Sequence, residues 1–239
     1  MQPKVAKGLI SSLKPWKAAI PPGAILEFGC GTGMLTELLI QEFPDREIFV
    51  TDASPQMLEV CKKNIERSEL LTNNVHFDIL DVNDFTPGER KYGLVIGNFV
   101  AHWFKDTSIG LQNLSEELKH GGIILTSFPG NHSFPNWYEY CLELGLPHTA
   151  NPLPDVEEVL VKLSMNDVQI DYYENDLYQE FEQPIDFFRH LKRIGSHTSK
   201  LDKSLSYKQF RMLVNHWKRN SKGVTKIKWH VVYLAGKKG

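Results

Sequence analysis

Between residues 24 and 127, short apolar runs alternate with segments whose apolar side chains recur every three or four positions. Ala24 to Phe28 is an apolar run closed by a glycine cluster, the pattern of a buried strand. Leu35, Leu38, Leu39 and Phe43 then share one face of a helix. Glu47 to Thr51 predicts a second strand. Pro55 to Ser68 predicts a helix, with Ser54 as its cap and Pro55 suited to its first turn. Val75 to Leu80 reads as a third strand. Tyr92 to Asn98 reads as a fourth, and its nearly unbroken apolar character suits the middle of a parallel sheet. Leu111 to Lys119 predicts a helix stopped by Gly121-Gly122, followed by a fifth strand from Ile123 to Ser127.

Past Ser127 the rhythm changes. Residues 129–154, rich in Pro, Gly, Asn and aromatics, predict an irregular wall with one short helix near Trp137. Asp155 to Leu163 predicts a helix and Val168 to Phe181 a strand. Pro184 to Lys222 reads as largely helical, and Lys226 to Ala235 as a closing strand with Ile227, Trp229, Val231 and Tyr233 on one face. Strands alternating with helices make an α/β, doubly wound, mostly parallel sheet of seven strands with a helical insertion before the last strand. No internal repeat or low-complexity stretch interrupts this single domain over 1–239.

The segment Ile25-Leu26-Glu27-Phe28-Gly29-Cys30-Gly31-Thr32-Gly33 joins the first strand to the first of these helices. Glycines there let the backbone turn sharply and approach a ligand, at the strand ends where doubly wound sheets bind ligands. The spacing is GxGxG and the next residue is Met34, so the dinucleotide pattern GxGxxG is not met. The second strand ends in Thr51-Asp52, where an acid can hold both hydroxyls of a ribose. The alternative for Asp52 is a helix N-terminal acid favoured by the macrodipole. The third strand ends in Asp81-Val82, a carboxylate beside a backbone N–H able to read an adenine edge. The fourth ends in Asn98-Phe99-Val100-Ala101-His102-Trp103.

ILEFGCGTG, then VTDAS with Met57 behind it, then ILDVND and GNFVAHW resemble the class I S-adenosylmethionine-dependent methyltransferases, most strongly over residues 20–127. The resemblance implies a Rossmann-like sheet and S-adenosyl-L-methionine as cofactor. It implies that Gly29, Gly31 and Gly33 border the methionine part, Glu27 orients its amino group, Asp52 holds the ribose beside Ala53, and Met57 packs on adenine. Asp81 and Val82 would read the adenine edge, and Asn98 and Gln2 would complete the cofactor-binding set. For Met57, a core position is the alternative.

The remaining sequence resembles one branch, the malonyl-acyl-carrier-protein O-methyltransferases of biotin synthesis. The residues behind this are Met1-Gln2 with Ala6 and Leu9, Asn98 through Trp103, the aromatic loop after Thr126-Ser127-Phe128, Phe187-Phe188-Arg189-His190-Leu191-Lys192-Arg193-Ile194-Gly195, and Trp229-His230-Val231-Val232-Tyr233-Leu234. One departure is that family members carry a Tyr-Asp pair several residues before the Gln, which residues 1–239 do not include. The resemblance divides the chain into a cofactor-binding core over 20–127, an acceptor-binding wall and helical insertion over 128–223, and a last strand over 226–235. It implies a malonyl methyl ester as product. Arg189, Lys192 and Arg193 are the candidates for anchoring the acceptor carboxylate, with His102 and Trp103 as the wall beside the methyl. Alternatively His102 caps a strand end, Trp103 is core and the three cations face solvent.

Charge adds a partner to this picture. The net charge is only −2, yet residues 187–239 hold 14 Lys and Arg and one acid, Asp202. Such segregation points to an anionic partner at the basic end, or else to a solvated basic face. An acidic acyl carrier protein bearing a malonyl-phosphopantetheine arm fits the first reading. RNA or a free small acid are alternative acceptors for the same fold, and a non-enzymatic nucleoside sensor is the alternative outside catalysis. Three cysteines without a CxxC argue against a disulfide framework and a metal site, and for a reducing cytoplasm. MQPKVAKGLISSLKPW has no secretory pattern, and the longest apolar stretch is too short to span a bilayer. A monomer without membrane or nucleic-acid partners is therefore expected.

Overall fold

Continuous burial sorts the strands before their pairing is considered. β1 (Ile25–Phe28) is buried at every position, and β4 (Tyr92–Asn98) at all but its last. Only a strand covered on both faces allows this. In the computed structural model, which describes residues 1–89, 91–194, 204–221 and 223–239, the sheet has the order β3-β2-β1-β4-β5-β7-β6. The remaining strands are β2 (Ile48–Asp52), β3 (Val75–Ile79), β5 (Leu118–Pro129), β6 (Val168–Phe181) and β7 (Thr225–Lys238). β3, β2, β1, β4 and β5 are parallel. β6 and β7 run oppositely to each other, since Glu180 pairs with Lys226, Asp176 with Lys228, and Tyr173 stacks on Tyr233. β7 also opposes β5. Gly130 N–H donates to the His230 carbonyl at 2.8 Å, whereas Gly236 lies against Ile124.

Helices α1 (Gln2–Leu13), α2 (Met34–Glu42), α3 (Pro55–Arg67), α4 (Thr107–Glu116), α5 (Pro135–Glu143), α6 (Val156–Ser164), α7 (Pro184–Arg193) and α8 (Tyr207–Asn220) complete the order. Four of them, α3, α4, α6 and α8, start on a side-chain cap. Ser54, Asp106, Asp155 and Ser206 each accept a backbone N–H three residues on. α1 packs on α2, β4 and β5, while α4 packs against α6. The core cluster joins Leu111 and Leu114 of α4 and Val159 and Leu163 of α6 to Phe28, Val95, Ile124 and Val232.

Two expectations need correction. The helix assigned to Leu111–Lys119 begins at Thr107, where Asp106 caps it, and ends at Glu116. β5 starts at Leu118 rather than Ile123, so the glycine pair lies inside the strand. A register irregularity opposite Tyr92–Leu94 marks the place, and a Cβ on Gly122 would sit 2.8 Å from the Lys119 carbonyl oxygen. The stretch 184–222 is largely helical as expected where it is described, in α7 and α8, with residues 195–203 outside the described residues. α1 went unpredicted: its buried Val5, Ala6, Leu9 and Leu13 form too sparse a stripe to stand out between lysines.

The chain divides into two units, Met1–Pro129 with Pro154–Glu174 and Val232–Gly239, and Gly130–Leu153 with Asn175–Val231. The second has its own aromatic core. Phe134 stands 4.6 Å from Trp229 and 5.3 Å from Phe187, and Phe187 lies 5.9 Å from Trp217.

Candidate active site

The first unit collects its chemistry at the carboxyl ends of the parallel strands. After β1, Gly29 and Gly31 have φ of +68° and +54°, left-handed values at which a side chain is strained. A Cβ on Gly29 would lie 2.2 Å from Val100 Cγ2, whereas one on Gly31 would meet nothing within 4 Å. Gly29 is thus needed for packing, and Gly31 turns a bare stretch of backbone outward. Gly33 is the N-cap of α2 and contributes no side-chain cap.

Asp52 ends β2 and ties this loop down. One carboxylate oxygen accepts from Gly31 N–H and the other from Ser54 N–H, both at 2.9 Å. Each oxygen keeps a lone pair for further donors. Glu27, on β1, is fully buried. Its Oε2 accepts from the Thr36 hydroxyl at 2.7 Å, and its Oε1 has no partner. Burial pushes this carboxyl up from its ordinary 4.5 to about 8. Beside it, Cys30 is held above the usual thiol range by its hydrogen bond to Cys61 and by burial; all three cysteines are free thiols.

At the third strand end, Asp81 accepts from the backbone and side-chain N–H groups of Asn83 at 2.9 and 2.8 Å. The Asn83 side-chain oxygen in turn accepts from Lys105 N–H at 2.6 Å. Val82 is buried in the core cluster. At the end of β4, the Ser127 hydroxyl donates to the Asn98 side-chain oxygen at 3.0 Å, leaving the Asn98 amide hydrogens available. Phe99 follows with φ of +57°, a left-handed conformation unusual for a bulky residue and of the strained kind found at functional sites. The next turn carries His102 against Phe99 and Trp103, at ring distances of 5.6 and 5.1 Å.

Thus Glu27, the three glycines, Asp52, Asp81, Val82 and Asn98 all fall at consecutive ends of one set of parallel strands. Ala53 and Met57 follow Asp52, both exposed, and Trp103 is 42% exposed, so neither Met57 nor Trp103 is a core residue. Gln2 is exposed at the start of α1. Arg189, Lys192 and Arg193 lie on α7, in the second unit, and all three are exposed. Arg189 donates to Asp186 at 2.9 Å, an ion pair within its own helix. Sequence reasoning missed Thr36, Asn83 and Ser127, the residues that hold Glu27, Asp81 and Asn98. Only Asp81-Val82-Asn83 carried a signal, the spacing of an Asx turn.

These features agree with what is found among known proteins. A family described as "Methyltransferase domain" matches residues 26–124. The malonyl-[acyl-carrier protein] O-methyltransferase of Priestia megaterium is 31% identical over 225 residues, covering 86% of this chain and 78% of that protein. Among solved structures, the YcgJ protein of Bacillus subtilis superposes with a TM-score of 0.64 at 15% identity, covering 96% of this chain and 98% of that one. The magnesium protoporphyrin IX methyltransferase of Synechocystis, solved with bound SAH, gives 0.59 at 14% identity over 98% of this chain and 83% of its own. No helix among the described residues is long and apolar enough to cross a membrane. The chain belongs to the malonyl-[acyl-carrier protein] O-methyltransferase family, and is an S-adenosylmethionine-dependent O-methyltransferase built on the seven-stranded methyltransferase sheet.

Proposed function

We propose that the chain methylates the free carboxylate of a malonyl group carried by an acyl carrier protein, giving a malonyl methyl ester for biotin synthesis in the cytoplasm. The observation that carries this reading is the 31% identity to a protein of that name over most of the chain. The site fits the cofactor on its own terms. The unpartnered Oε1 of Glu27 asks for a donor, Asp52 keeps free lone pairs, and Gly31 presents bare backbone. Glu27 would hold the methionyl ammonium, Asp52 the ribose hydroxyls, Asp81 and Val82 the adenine edge, Asn98 and Gln2 the methionyl end, and Ala53 and Met57 the adenine face.

When bound, S-adenosylmethionine supplies an electrophilic methyl group. The chain's own task is then to orient a carboxylate and keep water away. A carboxylate is already ionised at neutral pH and needs no general base. His102 and Trp103 would wall the acceptor, and Lys192 or Arg193 would meet the acceptor carboxylate. Arg189, engaged with Asp186, is the weakest of the three candidates. The exposed cations Lys208, Arg211, Lys218 and Arg219 of α8 supply a surface for an acidic carrier protein.

Incubation with cofactor labelled in its methyl group and, separately, malonyl carrier protein, free malonate and RNA tests the reading. The expected result is label in the carrier-bound malonyl group alone, released by base as labelled methanol, as a methyl ester requires. Label in RNA or free malonate alone would overturn it.

A further inference from the structure

A cavity of about 310 Å³ opens in the first unit, between the last turn of α1 and the sheet face formed by β5, β7 and β6. That volume suits a small molecule. Its floor is apolar, and its walls include Trp16 together with the stacked pair Tyr173 and Tyr233, whose rings lie 4.6 Å apart at 10°. None of the residues assigned above to cofactor or acceptor lines it.

Acceptors dominate the polar groups around this cavity, the Trp16 indole N–H and the Tyr172 and Tyr233 hydroxyls being the donors among its lining residues. Ser11 and Ser12 spend their hydroxyl protons on the carbonyls of Lys7 and Gly8, both at 2.9 Å. The Tyr173 hydroxyl, 2.8 Å from Ser12 Oγ, must therefore be the donor of that pair. All three oxygens keep acceptor capacity. The Asp171 carboxylate lines the same cavity and makes no ion pair among the described residues. The cavity also lies at the carboxyl end of α1, where helix carbonyls carry partial negative charge. Of the nearby lysines, Lys17 is paired with Glu42 at 2.6 Å, and neither it nor Lys14 lines the cavity. Acceptor oxygens, a carboxylate, a helix carbonyl end and aromatic faces form an environment that rejects anions and favours a cation with a flat apolar body.

We infer that this cavity is a second ligand site, taking a small organic ammonium or amidinium whose charged end meets Asp171 and the Ser11–Ser12–Tyr173 oxygens while its body lies against Trp16 and the tyrosines. The inference does not depend on which carboxylate is methylated.

Phenethylammonium, 2-phenylethanol and 3-phenylpropionate share one body and differ in charge, so titrating each into the protein, followed by calorimetry and by the Trp16 indole N–H resonance, tests the inference. The ammonium should bind in the millimolar range and shift that resonance. The alcohol should bind at least about fivefold more weakly, and the carboxylate not measurably. Asp171→Asn should weaken the ammonium about tenfold, and Tyr173→Phe should weaken it less. Both changes are at exposed positions and leave the core intact. Saturating S-adenosylmethionine should not alter the ammonium affinity. No ammonium binding, equal affinity for ammonium and alcohol, indifference to Asp171→Asn, or displacement by the cofactor would each overturn the inference.

Discussion

Replacing Glu27 with Gln should change how stability depends on pH, with a size and sign set by the burial of that side chain. In the folded, cofactor-free protein the carboxyl stays protonated up to about pH 8, whereas an unfolded chain releases the proton near 4.5. Between those values the folded state holds one proton more than the unfolded state. Raising the pH through this window therefore removes stability from the wild type, at up to about 1.4 kcal/mol per pH unit. Over the full window the loss is on the order of 5 kcal/mol, an upper bound because internal water and relaxation would moderate it. Gln keeps the shape, can accept from Thr36 as Glu27 does, and cannot ionise. The variant should match the wild type near pH 5 and become progressively more stable than it towards pH 8. Urea unfolding of both proteins without cofactor at pH 5, 6, 7 and 8 measures the difference. Parallel stability profiles would refute the reasoning. With cofactor the ranking should reverse, because an ammonium beside Glu27 favours the carboxylate that Gln cannot supply.

Asp52→Ala should weaken cofactor binding at least about tenfold, roughly 1.4 kcal/mol, as read by calorimetry; unchanged affinity in the folded variant would remove Asp52 from the site. Gly29→Ala should destabilise the protein by about 2 kcal/mol or more, since the new Cβ meets Val100 and the backbone is left-handed, which chemical denaturation would show. At saturating cofactor, kcat should be nearly flat from about pH 6 to 8; a log-linear rise of unit slope in the chemical step would point to an amine or hydroxyl acceptor. Reversing Lys192 and Arg193 to Glu should raise KM for the carrier-bound substrate. Equal loss on a small acyl mimic would place these residues at the acceptor carboxylate, whereas loss confined to the carrier, with strong salt sensitivity, would place them in docking.

How much of this was legible beforehand depended on what each residue answers to. The strands β1 and β4 could be read because a strand covered on both faces needs an apolar run, β2 and the edge strand β3, only partly buried, because they are short runs set between helical patterns, and their ends because turns need glycine or an acid. Position along the sheet then brought Glu27, Asp52, Asp81 and Asn98 to one edge without further information. The start of β5 was not legible. Gly121-Gly122 signals a break in either a helix or a bulged strand, and only the pairing with Tyr92 decides between them. The supporting residues Thr36 and Ser127 were equally hidden, because their hydrogen bonds span 9 and 29 positions in the chain.

β6 ends the sheet, and its outer row of backbone N–H and C=O groups pairs with no strand among the described residues. Along it stand Asp171, Glu174, Asp176 and Glu180, all exposed, among exposed Tyr172, Tyr173 and Tyr178. The tyrosines would welcome a neighbouring strand, whereas the charges there, including the Asp176–Lys228 and Glu180–Lys226 ion pairs, oppose burial against another edge. Replacing Asp171 and Glu174 with Ser would leave fewer charges along this aromatic strand, so strand-to-strand association of copies should rise at this edge while the buried sheet centre around β1 and β4 stays closed.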